Sequence, residues 1–434
     1  MQSLLSMRRP ANSRPSERAI ENPRMPRIRT ALARNAFRLI LFGLALGLTL
    51  GNPAPAQVAP KSAVTEADAV AFGKSVEAAY QKGDAGAFAE LINWETLVDM
   101  STAKVDAPEA FRKGFREGLL KSKQNPNGFA GKIVGQVRGG SRYGMLRSRS
   151  RDRQKTALFR LAPPNGAGVN YMEFLLARDK DGKVRASDLY IFFSGELLSD
   201  TFHRAYIQSA AQQNRGFLAK LAGNDQDFIN SFAKLGDISQ NIAAGKYAEA
   251  LAVCDALPES VQKDKTFMLV RIQAAQKFDE KKYTAAIERF RQLYPKDVCA
   301  DILSIDGFAL IKQFDKAIAA IDRLDKSVDG DGYLNVMRGA IMLLAEKPED
   351  ARKFARIAIE KAPEMIDGHW TLLTADLKLN DYPAALVTLK KLDQSFEMEF
   401  GDFTGIPDYA GFVKSPRYAQ WKDYLKSKKK PEKP

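Results

Sequence analysis

From residue 230 onward, apolar residues recur at helical spacing in blocks about 34 residues apart, and no other feature restricts the fold so strongly. A unit of that length holds two helices. Neither can bury its apolar stripe alone, so such units must stack. Five segments superpose on one template, beginning at Tyr247, Tyr283, Phe314, Pro348 and Tyr382, with separations of 36, 31, 34 and 34 residues. Three positions on, each has an alanine: Ala250, Ala286, Ala317, Ala351 and Ala385. Seven positions on stand Cys254, Phe290, Ile321, Ala355 and Leu389, and ten on stand Leu257, Leu293, Leu324, Ala358 and Leu392. These offsets keep one stripe of a helix facing its neighbours. The small alanine lets two helix axes approach, and Pro258, Pro295 and Pro363 fall where the second helix of a pair must stop.

The blocks resemble tetratricopeptide repeats, most closely over residues 332–365. There Gly339, Ala351, Ala355, Ala358 and Pro363 take the family's small-residue and proline positions. Residues 366–399 come next, with Asp381, Tyr382, Ala385, Leu389 and Leu392. The first block lacks the expected aromatic and small residues in its leading helix, and the third is shortened. The resemblance implies an all-α helical repeat solenoid over 230–400, a right-handed superhelix whose concave groove is lined by the first helix of each pair and binds a protein or peptide. Carried over by register, the groove positions are Met268, Arg271, Ala275, Ile302, Tyr333, Val336, Asp367 and Trp370. Tyr333 and Trp370 would equally complete packing between repeats, because a shift of one residue exchanges groove for core. Residues 401–425 read as a capping loop and helix over the exposed apolar end.

Residues 57–205 follow another pattern. Helical stretches at 63–81, 85–100 and 108–121 precede strand signals at 132–138, 143–150, 155–161, 169–178 and 184–193. Asp179-Lys180-Asp181-Gly182 is a hairpin turn between the last two strands. Helices followed by antiparallel strands indicate an α+β domain with helices on a curved antiparallel sheet. The order, and the run from Val184 to Tyr190 after its glycine turn, resembles the NTF2-like (cystatin-like) superfamily. Such folds often enclose a pocket, which Trp94, Tyr171, Phe174, Tyr190 and Phe192 would line; the alternative is that these rings fill the core. Residues 206–229 read as a linker helix.

The N-terminus reads as an export signal. Residues 1–38 hold nine Arg against two Glu, an apolar stretch covers 39–50, and Ala54-Pro55-Ala56 supplies a small-residue cleavage site. At 12 residues the stretch is short for a bilayer span, which takes about 20. Cleavage after Ala56 would give a periplasmic or secreted protein. The chain has 66 basic and 52 acidic residues, and removing 1–56 leaves 57 and 50, a net of +7. That modest excess argues against a nucleic-acid partner. Arg147, Arg149, Arg151 and Arg153 alternate, so on a strand they would share one face, expected to be solvated. The Lys-rich residues 426–434 read as a disordered tail able to touch anionic surfaces weakly. Cys254 and Cys299 fall in non-neighbouring helices and are expected as buried thiols.

Chemistry-bearing motifs are sparse. The only histidines, His203 and His369, lack ligand-spaced companions, so no metal or other cofactor is expected. Gly73-Lys74-Ser75 lies within a helical stretch and lacks the first glycine of a phosphate loop. His203, beside Asp200 and Arg204, reads as a helix-surface histidine rather than a general base. The expectation is a non-enzymatic interaction scaffold with an unidentified protein or peptide partner; the alternative is a small-molecule-binding module using the N-terminal pocket.

Overall fold

In the computed structural model the described residues are 63–103, 107–123, 125, 128–138, 140–163, 168–213 and 223–428. The expected signal (1–56) and residues 429–434 of the expected disordered tail lie outside them; residues 426–428 of that tail are instead the last residues of a helix. The chain is an α+β N-terminal part followed by an all-α helical repeat solenoid. It divides into two compact units, whose described parts are 63–375 and 376–428. Among the described residues no helix is long and apolar enough to cross a membrane.

The first helix, α1 (Glu66–Lys82), starts at a reciprocal cap, Thr65 to the Asp68 backbone and Asp68 back to Thr65. It ends on Gly83, whose φ of 65° is the left-handed conformation that glycine adopts without strain. The helix expected over 85–100 is two helices, α2 (Ala85–Glu90) and α3 (Trp94–Thr102). The break has a cause: Leu91 and Asn93 exchange backbone hydrogen bonds with Ala186 of the sheet, which a continuous helix would forbid. Helix α4 (Glu109–Ser122) matches expectation. The strand expected at 132–138 is instead helix α5 (Phe129–Arg138). Its Ala130, Ile133 and Val134 are buried, a helical spacing whose packing overrides the strand preference of two β-branched residues.

The sheet is an antiparallel meander in the order β1 (Arg142–Arg151), β2 (Gln154–Ala162), β3 (Asn170–Arg178), β4 (Val184–Ile191) and β5 (Glu196–Leu197). One face buries Phe159, Met172, Phe174 and Leu189 against α1 and α2. Phe174 meets Phe72, Phe88 and Phe159 at ring separations of 5.5, 6.2 and 5.2 Å. The opposite face contributes Leu158, Ala162, Tyr171 and Phe192 to a second core shared with Ile305, Tyr333 and Leu334 of the helical array.

Helix α6 (Leu198–Gln213) leads toward α7 (Gly223–Ala243), and the array continues with α8 (Tyr247–Asp255), the single turn α9 (Glu259–Gln262), α10 (Lys265–Phe278), α11 (Glu280–Leu293), α12 (Val298–Leu310), α13 (Phe314–Ser327), α14 (Gly332–Leu344), α15 (Pro348–Lys361) and α16 (Ile366–Lys378). In the other unit, α17 (Tyr382–Phe396) precedes a 3-10 turn (Pro407–Tyr409), α18 (Ala410–Lys414) and α19 (Pro416–Lys428). Second helices begin at 247, 280, 314, 348 and 382, so the true separations are 33, 34, 34 and 34. The second segment therefore begins one turn earlier than its expected start at Tyr283, at Glu280. In the corrected frame Tyr283, Ile287 and Phe290 take offsets 3, 7 and 10, and all are buried, whereas Leu293 at the end of α11 is exposed. Tyr294 takes over beside Phe290 and donates its hydroxyl to the Lys263 carbonyl. The alanines at 250, 317, 351 and 385 are fully buried, as the template requires.

Candidate functional site

Two of the residues expected to line an open groove, Tyr333 and Asp367, lie where the sheet meets the array. A bulge between Met145 and Arg147 shifts the β1 register by one residue. Arg142, Gly144, Arg147, Arg149 and Arg151 therefore share the face turned to the array, despite the odd step from 144 to 147. This overturns the expected solvated arginine face. Arg149 donates Nε and Nη2 to the two oxygens of Glu173, at 2.6 and 2.8 Å, and Nη1 to the Ser327 carbonyl at 2.8 Å. Glu173, fully buried, also accepts from Thr156 Oγ1 at 2.7 Å. Burial pushes its carboxyl up, but the bonds from Arg149 and Thr156 outweigh that and hold it below the usual range. Arg147 donates to the carbonyls of Asp329 and Gly330, and Arg151 lies 4.2 Å from the Tyr190 ring centre. Arg153 is not on the strand: it sits in the β1–β2 turn with φ 65°.

The array answers with aspartates at the starts of its first helices. Asp264, Asp297 and Asp331 cap α10, α12 and α14 through their own side chains. They follow the repeat period, and each also faces the sheet domain. Asp331 accepts from Arg160 Nη1 at 2.5 Å and from the Tyr171 hydroxyl at 2.8 Å. Asp297 pairs with Lys265, whose ammonium also donates to the Gly195 carbonyl at 3.1 Å. Burial, opposed by nearby Arg204, pushes the Asp264 carboxyl up to about 6. Asp367, one residue into α16, pairs with Arg142. Cys299 donates its thiol to the Phe193 carbonyl; both cysteines are buried and unpaired by disulfide.

Among the groove positions, Tyr333 is 1% exposed, with its hydroxyl on the Gly168 carbonyl at 3.1 Å. Met268, Ala275 and Val336 are buried in the cores, and Ile302 is half-buried against both. Arg271 pairs with Asp255 of α8 at 2.5 Å. Trp370 is half-buried. The first helices thus spend much of their inner face on the chain's own sheet. The five pocket candidates do not come together. Trp94 and Phe174 sit in the inner core, with the Trp94 indole bonded to the Ala89 carbonyl at 2.8 Å, whereas Tyr171, Tyr190 and Phe192 lie on the array side. Alternation along a strand separates Tyr171 from Phe174. His203 is buried, with Nδ1 2.6 Å from the Ser101 carbonyl, so it is not a surface histidine.

At the edge of the seam is a half-open cleft of about 580 Å³, bordered by β1 at 144–147, Arg160, the turn at 329–332 and residues 361–364. Glu77 closes one side by accepting the Met145 N–H at 2.8 Å. Asp329 is shared with Arg149, and Asp331 with Arg160 and Tyr171. Lys361 and Glu364 also border the cleft, and among the described residues neither makes an ion pair. No group of three metal-ligating side chains occurs among the described residues. Sequence reasoning missed this cleft, although two signals were available: arginines alternating on one strand, and aspartates recurring at 264, 297 and 331. Comparison of the chain with protein-family models, curated proteins and solved structures gave no match.

Proposed function

We propose that this chain is an exported, non-enzymatic interaction scaffold of tetratricopeptide type, with an NTF2-like domain seated against its repeats, and that a protein or peptide partner docks at the rim cleft. The observation that carries the reading is the division of labour among charges. The buried carboxylates Glu173 and Asp331 are satisfied within the fold, while Lys361 and Glu364 border a concavity without an ion-pair partner among the described residues. Groups already bonded within the chain position the fold; those left over are free to meet a peptide's charges and amides. Tyr333 and Asp367 then act on the partner indirectly, by tying the array to the sheet beside the cleft; Arg271, paired with Asp255 of α8, is not among the cleft's lining residues, and Trp370 stands one turn beyond Asp367 on α16.

The test is site-specific photo-crosslinking in the producing cell. A probe replacing Ala362 should capture one defined partner, and the charge swap Lys361→Glu with Glu364→Lys should abolish capture without lowering the melting temperature. A probe at Val387 serves as control. Equal capture at both probes, or capture untouched by the swap, sinks the reading.

A further inference from the structure

The sheet has two edge strands, and they are guarded differently. β5 is only two residues long, whereas β1 runs from Arg142 to Arg151 with no strand beyond it among the described residues. The turn from β1 to β2 is Asp152-Arg153, with φ of 49° and 65°, the two left-handed residues of a tight hairpin. Arg151 and Gln154, which close such a turn, bond to each other, and bonding alternates along the pair. Arg149 and Arg147 therefore bond to β2. Ser150 and Ser148, opposite Lys155 and Ala157, turn their N–H and C=O groups away from it. Beyond the bulge the outward N–H is that of Met145, and the Glu77 carboxylate accepts it at 2.8 Å. Bulge and carboxylate blunt that half of the edge, as natural sheets do. The other half has neither. Ser148 gives its hydroxyl to Glu66, but among the described residues neither serine has a main-chain partner on the open side, and Ser150 is exposed.

We propose that an extended segment of the protein partner adds to this edge as a further strand, pairing with Ser148 and Ser150 and running on into the rim cleft; this rests on the cleft as the docking site and specifies the partner's conformation there. Donors and acceptors alternating along one line are satisfied by another extended main chain, whereas a helix has already used its own. The cleft continues the same line, because its border at 144–147 is the adjoining stretch of β1. A second copy of this chain is the poorer occupant. Two β1 strands side by side would set Arg147, Arg149 and Arg151 of both copies on one face, where like charges opposite each other repel. Their acids are already committed: Arg149 and Arg151 share Glu173, and Arg149 also takes Asp329.

The probe is a phage-displayed library of random peptides panned on the full chain, each winner being resynthesised with single N-methyl groups along its backbone. A peptide paired as a strand should lose about tenfold in affinity from a methyl at every second residue, and little from those between. Ser150→Pro removes one outward N–H and leaves the ladder to β2 intact, so it should cost a similar factor without lowering the melting temperature. Ser150→Ala keeps the N–H and should bind like the parent. Winners untouched by Ser150→Pro and by alternate N-methylation, or a library that yields none, overturn the strand. If such winners still respond to the Lys361→Glu/Glu364→Lys swap, the cleft reading stands without it. If Ser150→Pro weakens them and the swap does not, the strand stands and the cleft reading falls. Sedimentation of the chain alone gives the last arm: a dimer that Ser150→Pro dissolves puts a second copy on the edge and overturns the peptide occupant.

Discussion

Gly195 and Gly182 have similar backbones, with φ of 66° and 76°, and very different surroundings. A Cβ at Gly182 would meet nothing within 4 Å, whereas one at Gly195 would fall 2.1 Å from Asp297 Oδ1 and 2.5 Å from Lys265 Nζ. Gly182→Ala should therefore cost only the left-handed backbone strain, about 1 kcal/mol. Gly195→Ala should cost more, roughly 2 kcal/mol, because the Asp297 carboxylate and the Lys265 ammonium must swing aside and loosen their pair. Urea denaturation of the two variants measures the gap, and equal losses would remove Gly195 from any role in the seam. Asp306 gives a second residue-scale case. It is buried on α12, and desolvation alone pushes its carboxyl from 3.8 up to about 7. Its proton is held more tightly in the folded chain, so stability falls as pH rises between those two values. Asp306→Asn should thus be more stable than the parent at about pH 8, by at most about 4 kcal/mol, and no more stable near pH 4. A gain of the same size at both pH values would show that titration is not the cause.

At the scale of elements, a left-handed residue two positions before the second helix recurs in four of the five helix pairs, Asn380 of the last included. Lys312 and Glu346, 34 residues apart, both take φ of 58°, and Gly245 takes 75° at the same place in the first pair. A left-handed lysine or glutamate is strained where glycine is not. Lys312→Gly and Glu346→Gly should each stabilise by about 0.5 kcal/mol, the relief being partly offset by a freer unfolded chain. Thermal melts in the single and double variants check it, and a loss of stability in either would refute the turn argument. The second pair lacks this turn: Asp279 is extended, with φ of −155°, and directly caps α11. That shortening is what misled the sequence reading. A slip of one turn leaves the same helix face inward, so periodicity could not tell Tyr283 from Glu280 as the start. The strands over 142–191 were legible because alternation and the Asp179–Gly182 turn agree. The strand expected at 132–138 failed because Ile133 and Val134 carry a strand preference that burial at helical spacing overrode. The seam was illegible for another reason. It depends on which face of β1 each arginine takes, and a one-residue bulge that no pattern announces decides that.

On the scale of the whole molecule, the seam makes a claim about cooperativity within residues 63–375. Sheet and array share a core in which Leu158, Tyr171 and Phe192 meet Ile305, Tyr333 and Leu334, and the Arg149–Glu173 pair is sealed beside it. Units that share a core should melt together. The three tryptophans make this measurable, because Trp94 lies in the α+β part, Trp370 on α16 and Trp421 in the other unit. In a Trp421→Phe background, variants keeping only Trp94 or only Trp370 should show coincident fluorescence transitions. Arg149→Met then leaves Glu173 buried without its main partner, a defect of about 3–5 kcal/mol. Both midpoints should fall by the same amount, although Arg149 touches neither indole. If the Trp94 transition moved while the Trp370 transition stayed, the sheet would be a separately folding passenger on the array. The rim cleft would then have one mobile wall, and a partner could not read Lys361 and Glu364 in a fixed relation to β1. Coincident shifts would mean that the chain's own charges weld those walls into one surface, which is the condition for a scaffold that recognises by position.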